Sequence, residues 1–289
     1  MNALAELHGE RPLRLAPSIV LPTNFGSDGG LALAHAVAVA LKTHARLTLL
    51  HIRGVDDAPP TRNGLTPVAD LLVRWRRLSP EDRFAEFKTR VGFSATCIDV
   101  PARSVSAGVV AHFDEHPVEL AVLTTHAQSG LSYWFAGSTS RRMLRQANSM
   151  ILFMREGQRG FVDAETGDIR LARALIPIDG HIPAAVAVAR AQGLIDALGV
   201  RIERRLVHVG DAAPPGCPKG VPLTLARGPV AEAILRAAQD FRADLIIMPT
   251  AGKRGLLAAF RDSVSARILD DARWPVLSVP ALEPGSPGP

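Results

Sequence analysis

Ser18-Ile-Val-Leu-Pro-Thr-Asn24 and Ala174-Leu-Ile-Pro-Ile-Asp179 open two stretches of this chain that run in step. Each reads as a short buried strand ending in a small polar residue, with a glycine close behind, Gly26 or Gly180. An alanine-rich helical pattern follows each. Leu33, Val37, Ala40 and Leu41 share one face of the first; Ala187, Ala191, Leu194, Ile195 and Leu198 share one face of the second. Arg46 to Ile52 and Ile202 to Val209 then read as strands, each with a histidine near its end, His51 and His208.

Working outward, the correspondence continues. Arg103-Ser-Val-Ser-Ala-Gly-Val-Val matches Arg227-Gly-Pro-Val-Ala-Glu-Ala-Ile as a helix start. Val105, Val109 and Phe113 are expected on the inner face of one copy, and Val230, Ile234, Ala238 and Phe241 on that of the other. Glu119-Leu-Ala-Val-Leu-Thr-Thr matches Asp244-Leu-Ile-Ile-Met-Pro-Thr as a buried strand. Ser138-Thr-Ser-Arg-Arg-Met-Leu matches Ser263-Val-Ser-Ala-Arg-Ile-Leu, and Met150-Ile-Leu-Phe-Met154 matches Pro275-Val-Leu-Ser-Val279. The offset shrinks along the way, so the second copy has lost a segment between its second and third strands. There the first copy holds two helix-like stretches, Thr66 to Arg77 and Glu81 to Arg90. The second holds the proline- and glycine-rich Gly210 to Gly220, which cannot be helical. Strands alternating with helices predict parallel sheets with right-handed crossovers, and ligands outside the carboxyl ends of the strands. The expected fold is therefore α/β: two doubly wound parallel-sheet domains in tandem, 1–157 and a shortened 170–289, joined by a polar linker at 158–169.

Composition narrows the function. The net charge is +5, yet only four of the 33 basic residues are lysine, and the arginines are scattered among acids. Neither a basic run nor a basic stripe with interleaved aromatics is present, so a nucleic-acid reader is not expected. The most apolar stretch, Leu31 to Leu41, is interrupted by His35 and is far shorter than the roughly 20 residues of a membrane span, so no transmembrane segment is expected. Met1 to Arg14 lacks the pattern of a signal peptide, and two cysteines, Cys97 and Cys217, make no disulfide framework. A cytoplasmic chain with reduced thiols is expected.

On these residues each half resembles a universal stress protein domain, a family of adenine nucleotide alpha hydrolase-like fold. In that family the first strand ends in Asp, the second ends in Leu-His-Val-like residues, and the fourth runs into a Gly-x2-Gly-x9-Gly-Ser loop. The glycines let backbone approach a triphosphate, and the final Gly-Ser opens a helix whose free amides favour anions. The resemblance implies ATP or AMP as the ligand, with Mg2+ only as the nucleotide's companion and no metal site of the protein's own. Matched residue by residue, the first copy offers Asn24 in place of the aspartate. Thr124 and Ala127 replace the first two glycines; Gly137 and Ser138 are kept, and Ser140 follows. The second copy keeps Asp179 and Gly252, puts Pro249 and Asp262 at two glycine positions, and supplies Ser263 and Ser265. A carboxylate at that helix start suits the helix dipole but repels phosphate. Lys253, Arg254 and Arg261, or Arg141 and Arg142, are candidate compensating charges.

Each copy thus keeps about half of a nucleotide site, and the expected protein is a stress-response regulatory or binding protein, not an enzyme, with degenerate nucleotide loops. One alternative is an ATP/AMP sensor or weak ATPase. Another is a scaffold binding a partner through the basic amphipathic stretch Leu71 to Leu78, with Trp75 at its centre and Phe84 and Phe87 beyond. Family members pair through their last strands, which implies an intrachain pseudo-dimer with Met150 to Met154 and Val276 to Val279 at the seam, and allows a homodimer. Gly26-Ser-Asp-Gly-Gly30 has the composition but not the order of the loop of pyrophosphate-releasing ATP enzymes, and reads as a helix-opening turn. His112 and His116 are spaced for one helix face, and read as boundary histidines rather than metal ligands. Cys97 reads as a buried small apolar residue and Cys217 as part of an exposed proline loop.

Overall fold

The structure, a computed structural model, describes residues 17–26, 29–57, 64–82, 91–125, 149–250 and 264–281. The first half contributes β1 (Ser18–Thr23), α1 (Gly30–Thr43), β2 (Arg46–Arg53), α2 (Thr66–Arg74), β3 (Ser94–Pro101), α3 (Val105–Glu115), β4 (Leu120–Thr125) and β5 (Met150–Arg155). The second contributes β6 (Arg173–Pro177), α4 (Ala184–Ala197), β7 (Glu203–Val209), β8 (Leu223–Ala226), α5 (Val230–Phe241), β9 (Leu245–Thr250), α6 (Val264–Asp271) and β10 (Val276–Pro280). No helix follows β7 before β8 (Leu223), as Gly210 to Gly220 dictates. The second stretch expected to be helical, Glu81 to Arg90, falls largely outside the described residues.

Among the described residues ten strands form one sheet, ordered β3-β2-β1-β4-β5-β10-β9-β6-β7-β8. The order reads the same from either end. Among the described residues every pairing of these strands within a half is parallel, and β5 and β10 pair antiparallel, with Val276 opposite Phe153 and Ser278 opposite Ile151. The last strand of each half therefore covers the other's edge. The repeat reaches individual hydrogen bonds. Glu119 accepts the Ser18 amide at the start of β1, and Asp244 accepts the Ala172 and Arg173 amides at the start of β6, at 2.9 and 2.8 Å. A carboxylate before the fourth strand thus pins the start of the first strand in both halves.

α1, α2 and α4 lie on one face of the sheet, with α3, α5 and α6 on the other. α1 is covered nearly all round rather than along the one stripe expected. Ala32, Ala34, His35, Ala36, Val37, Ala38, Val39 and Ala40 are all buried, while Leu33 and Leu41 are only half-buried. It packs on β1, β2, β4 and α2, and is closed over by residues 158–169. Val105 and Val230, expected to face inward, are instead 40% and 41% exposed. They are the first residues of α3 and α5; Val109, Ile234, Ala238 and Phe241, further along, are buried. Among the described residues no helix is long and apolar enough to cross a membrane.

The segment 158–169 is polar in composition but does more than link. Phe161 and Val162 are buried, and Val162 bridges Ile169 in an antiparallel pair. Asp163 closes the turn by accepting the Glu165 and Thr166 amides at 2.8 and 3.1 Å. Those bonds hold its carboxyl below the usual range; burial opposes them, and Arg170 assists. This strap lies against Trp75, whose indole Nε1–H donates to the Ala164 carbonyl at 2.9 Å. A Cβ on Gly167 would come within 2.5 Å of the Trp75 ring. Trp75 is 5% exposed, so the expected partner-binding role of the stretch around it is corrected: its apolar side is spent inside the chain.

Candidate functional site

Strand order reverses between β1 and β4 and again between β6 and β9, and the carboxyl ends of the strands at these two points are where a sheet of this kind takes a ligand. Asn24 and Asp179 stand there and do the same local job. Asn24 Oδ1 accepts the Gly26 amide at 2.9 Å, while Asp179 Oδ1 accepts the His181 and Ile182 amides at 2.8 and 3.2 Å. Both side chains are exposed, and each shapes the turn that leads to α1 or α4. Ser265 is half-buried in the first turn of α6. Ala127, Gly137, Ser138, Ser140, Gly252 and Ser263 lie outside the described residues, as do Asp262, Lys253, Arg254, Arg261, Arg141, Arg142, Phe84 and Phe87.

Beside Asn24 the first half assembles a cluster that single-residue reading missed. Parallel pairing sets Thr23 next to His51 and His51 next to Asp99. His51 Nδ1–H donates to Asp99 Oδ1 at 2.7 Å, and Arg53 Nε–H donates to Asp99 Oδ2 at 2.6 Å. Burial pushes the Asp99 carboxyl up, but the hydrogen bonds and positive charge of His51 and Arg53 outweigh it and leave it below the usual range. Phe25 adds a ring 5.1 Å from that of His51. Its φ of +58° is uncommon for a bulky side chain, and its amide is held by Thr23 Oγ1 at 2.9 Å. The available signal was positional: His51 is near the end of a predicted strand with Arg53 just beyond it, and parallel strands bring their ends together.

The second half replaces this cluster. His208 pairs in register with Leu225, the counterpart of Asp99. Leu225 is 46% exposed, and His208 Nδ1–H turns instead to the Ile178 carbonyl at 2.9 Å. The expected equivalence of His51 and His208 thus holds for position and not for partner. Pro214, in the loop that replaces the first half's helical insertion, is buried. It lies so near the turn after β6 that a Cβ on Gly180 would come to 2.9 Å from it. Cys217 of the same loop is half-buried against the core rather than exposed. At the end of β9 Thr250 is 4% exposed, and its hydroxyl has no hydrogen-bond partner among the described residues. Thr250→Val, which removes that buried hydroxyl at constant shape, is expected to raise the unfolding free energy by about 1 kcal/mol in urea titration.

His112 is buried and His116 exposed, with their rings stacked 4.4 Å apart. Burial first, and the neighbouring His116 next, push His112 below the ordinary histidine value. No group of three or more His, Cys, Asp or Glu among the described residues is arranged to hold a metal ion. Cys97 is half-buried, and burial, then Asp99, push its thiol up.

The family model for universal stress proteins matches residues 17–155 and 204–280, most of the chain. The chain belongs to the universal stress protein family. Within this universal stress protein the match skips β6, α4 and Asp179 and resumes in β7. Among solved structures, a universal stress protein of Archaeoglobus fulgidus DSM 4304 shares 16% identity, covering 92% of this chain and 97% of that one, with a TM-score of 0.61. A chain described as a putative universal stress protein of Pseudomonas aeruginosa UCBPP-PA14 shares 17% identity, covering 92% and 94%, also at 0.61. A universal stress protein solved in complex with cAMP covers 50% of this chain and 99% of its own, at 17% identity and a TM-score of 0.31. No curated protein matches.

Proposed function

We propose that this universal stress protein is a regulatory binding protein with one working crevice, in its first half, whose ligand is an adenine nucleotide. The second half serves as the partner that completes the sheet. The supporting observation is the contrast at counterpart positions. Charged and polar groups, Arg53, His51 and Asp99, line the first crevice, while the second has Leu225, a histidine turned to backbone, and Pro214 against its turn. Cationic and hydrogen-bonding groups with an aromatic ring beside them suit a base and an anion; a leucine and a proline in the matching region do not. A cytoplasmic location, a stress-response role and a homodimer come with the family and belong to the proposal.

Titration calorimetry with ATP and with AMP on denatured, stripped and refolded protein tests it. One site per chain is expected, lost in Asp99→Leu, which copies the second half, and kept in Asp179→Ala. Two sites, loss in Asp179→Ala alone, or no heat at millimolar nucleotide would overturn it. The reading is of binding without turnover, and steady phosphate release from ATP would replace it with a weak ATPase.

A further inference from the structure

His35 is the one imidazole of the described residues that is wholly buried, at 0% exposure, and it stands between α1 and the strap. Its Nδ1–H donates to the Leu31 carbonyl one turn back, at 2.8 Å. That leaves Nε2 as an acceptor, and two consecutive strap amides use it: Phe161 N–H at 3.0 Å and Val162 N–H at 3.1 Å. The Phe161 ring stands edge-on to the imidazole with centroids 4.5 Å apart. Gly160 approaches so closely that a Cβ there would lie 2.2 Å from His35 Cε1. The Trp75–Ala164 bond anchors the strap a second time, from α2. α1 itself begins at Gly30, just after the crevice turn shaped by Asn24. One histidine thus ties the helix leading from the first crevice to the segment leading to the second half.

We propose that His35 is a proton-released latch that holds the strap between the two halves. A proton from solvent takes the Nε2 lone pair that both amides share. The acceptor becomes an N–H facing two N–H groups, and Phe161 and Val162 lose their partner with no room for water to replace it. The strap then leaves α1, and the pair of halves loosens at its linking segment while each keeps its own parallel strands.

The electrostatic setting is simple. On α1 the charged residue is Lys42, exposed at the far end. α2 carries Asp70 and Arg74, the latter paired with Glu165 of the strap at 3.5 Å. The strap carries Arg159, exposed, Asp163, paired with Arg170 just beyond it, and Asp168, bonded to Thr166. None of these figures among the causes of the low His35 value, pushed down to about 4 by burial with the Leu31 carbonyl opposing. Release therefore answers to acid and not to the titration of a neighbour.

The test is amide exchange by NMR on the full chain, as protection factors from pH 7 to pH 3.5. Phe161 and Val162 are expected to lose protection at least tenfold between pH 6 and pH 4, while amides of β4 and β9 keep theirs. His35→Gln, whose side-chain oxygen accepts but does not titrate, is expected to abolish that dependence. Constant protection in the wild type, or the same fall in His35→Gln, overturns the latch. Should that variant not fold, the imidazole 15N shifts of the wild type decide: ring protonation and strap release must share one midpoint. Protonation that leaves both amides protected overturns the proposal.

Discussion

Trp75→Ala is expected to lower the unfolding free energy by about 4 kcal/mol. Truncating a buried tryptophan typically costs about 3–5 kcal/mol, because the cavity adds to the lost transfer energy. Here the indole also carries the strap: its N–H satisfies the Ala164 carbonyl, and its ring fills the space beside Gly167. Trp75→Phe keeps most of the area and loses the hydrogen bond, so a cost of about 1–2 kcal/mol is expected. Urea titration of both variants checks the pair of values. A cost below about 1 kcal/mol for Trp75→Ala would mean that the ring rests on the surface, and would restore the partner-docking reading.

Stability is expected to fall by about 3 kcal/mol between pH 7 and pH 4 through His35 alone. In the native state His35 stays neutral down to about 4, against an ordinary value of 6.5 in the unfolded chain. Between those two values the unfolded chain binds one more proton, so stability rises with pH there and is lost on acidification. Above 6.5 nothing changes, and below about 4 both states are protonated. His112, also depressed by burial, acts in the same direction. The quantity to measure is thus the difference between wild type and His35→Gln across pH 4 to 7. Equal slopes for the two proteins would show that His35 is not the group that titrates.

The same residues show why part of the site was hidden in the sequence. His51, Arg53 and Asp99 lie in two strands 46 to 48 positions apart, and only parallel pairing in register brings Asp99 to both cations. Asn24 and Asp179 were legible because the turn that they shape is local, an oxygen reaching the amide two residues on. Trp75 misled because its neighbours are arginines. The helix reads as a basic surface, and what covers it arrives from Ala164 and Gly167, 89 and more positions away. His35 appeared only as an interruption in an apolar run, since its partners, Phe161 and Val162, follow 126 and 127 positions later.

The sequence by itself determined the repeat, the parallel α/β character of both halves, the family and the shortened second copy. Those properties rest on local periodicity and on motifs repeated within one chain, where neighbouring residues carry the information. Tertiary structure alone decided that His51, Arg53 and Asp99 meet in the first half, while Leu225 faces His208 and Pro214 lies beside Gly180 in the second. It also decided that α1 is buried all round and that a polar-looking linker is an anchored strap. Each of these depends on side chains brought together from distant positions, where burial, hydrogen-bond pairing and close approach cannot be read from either partner separately.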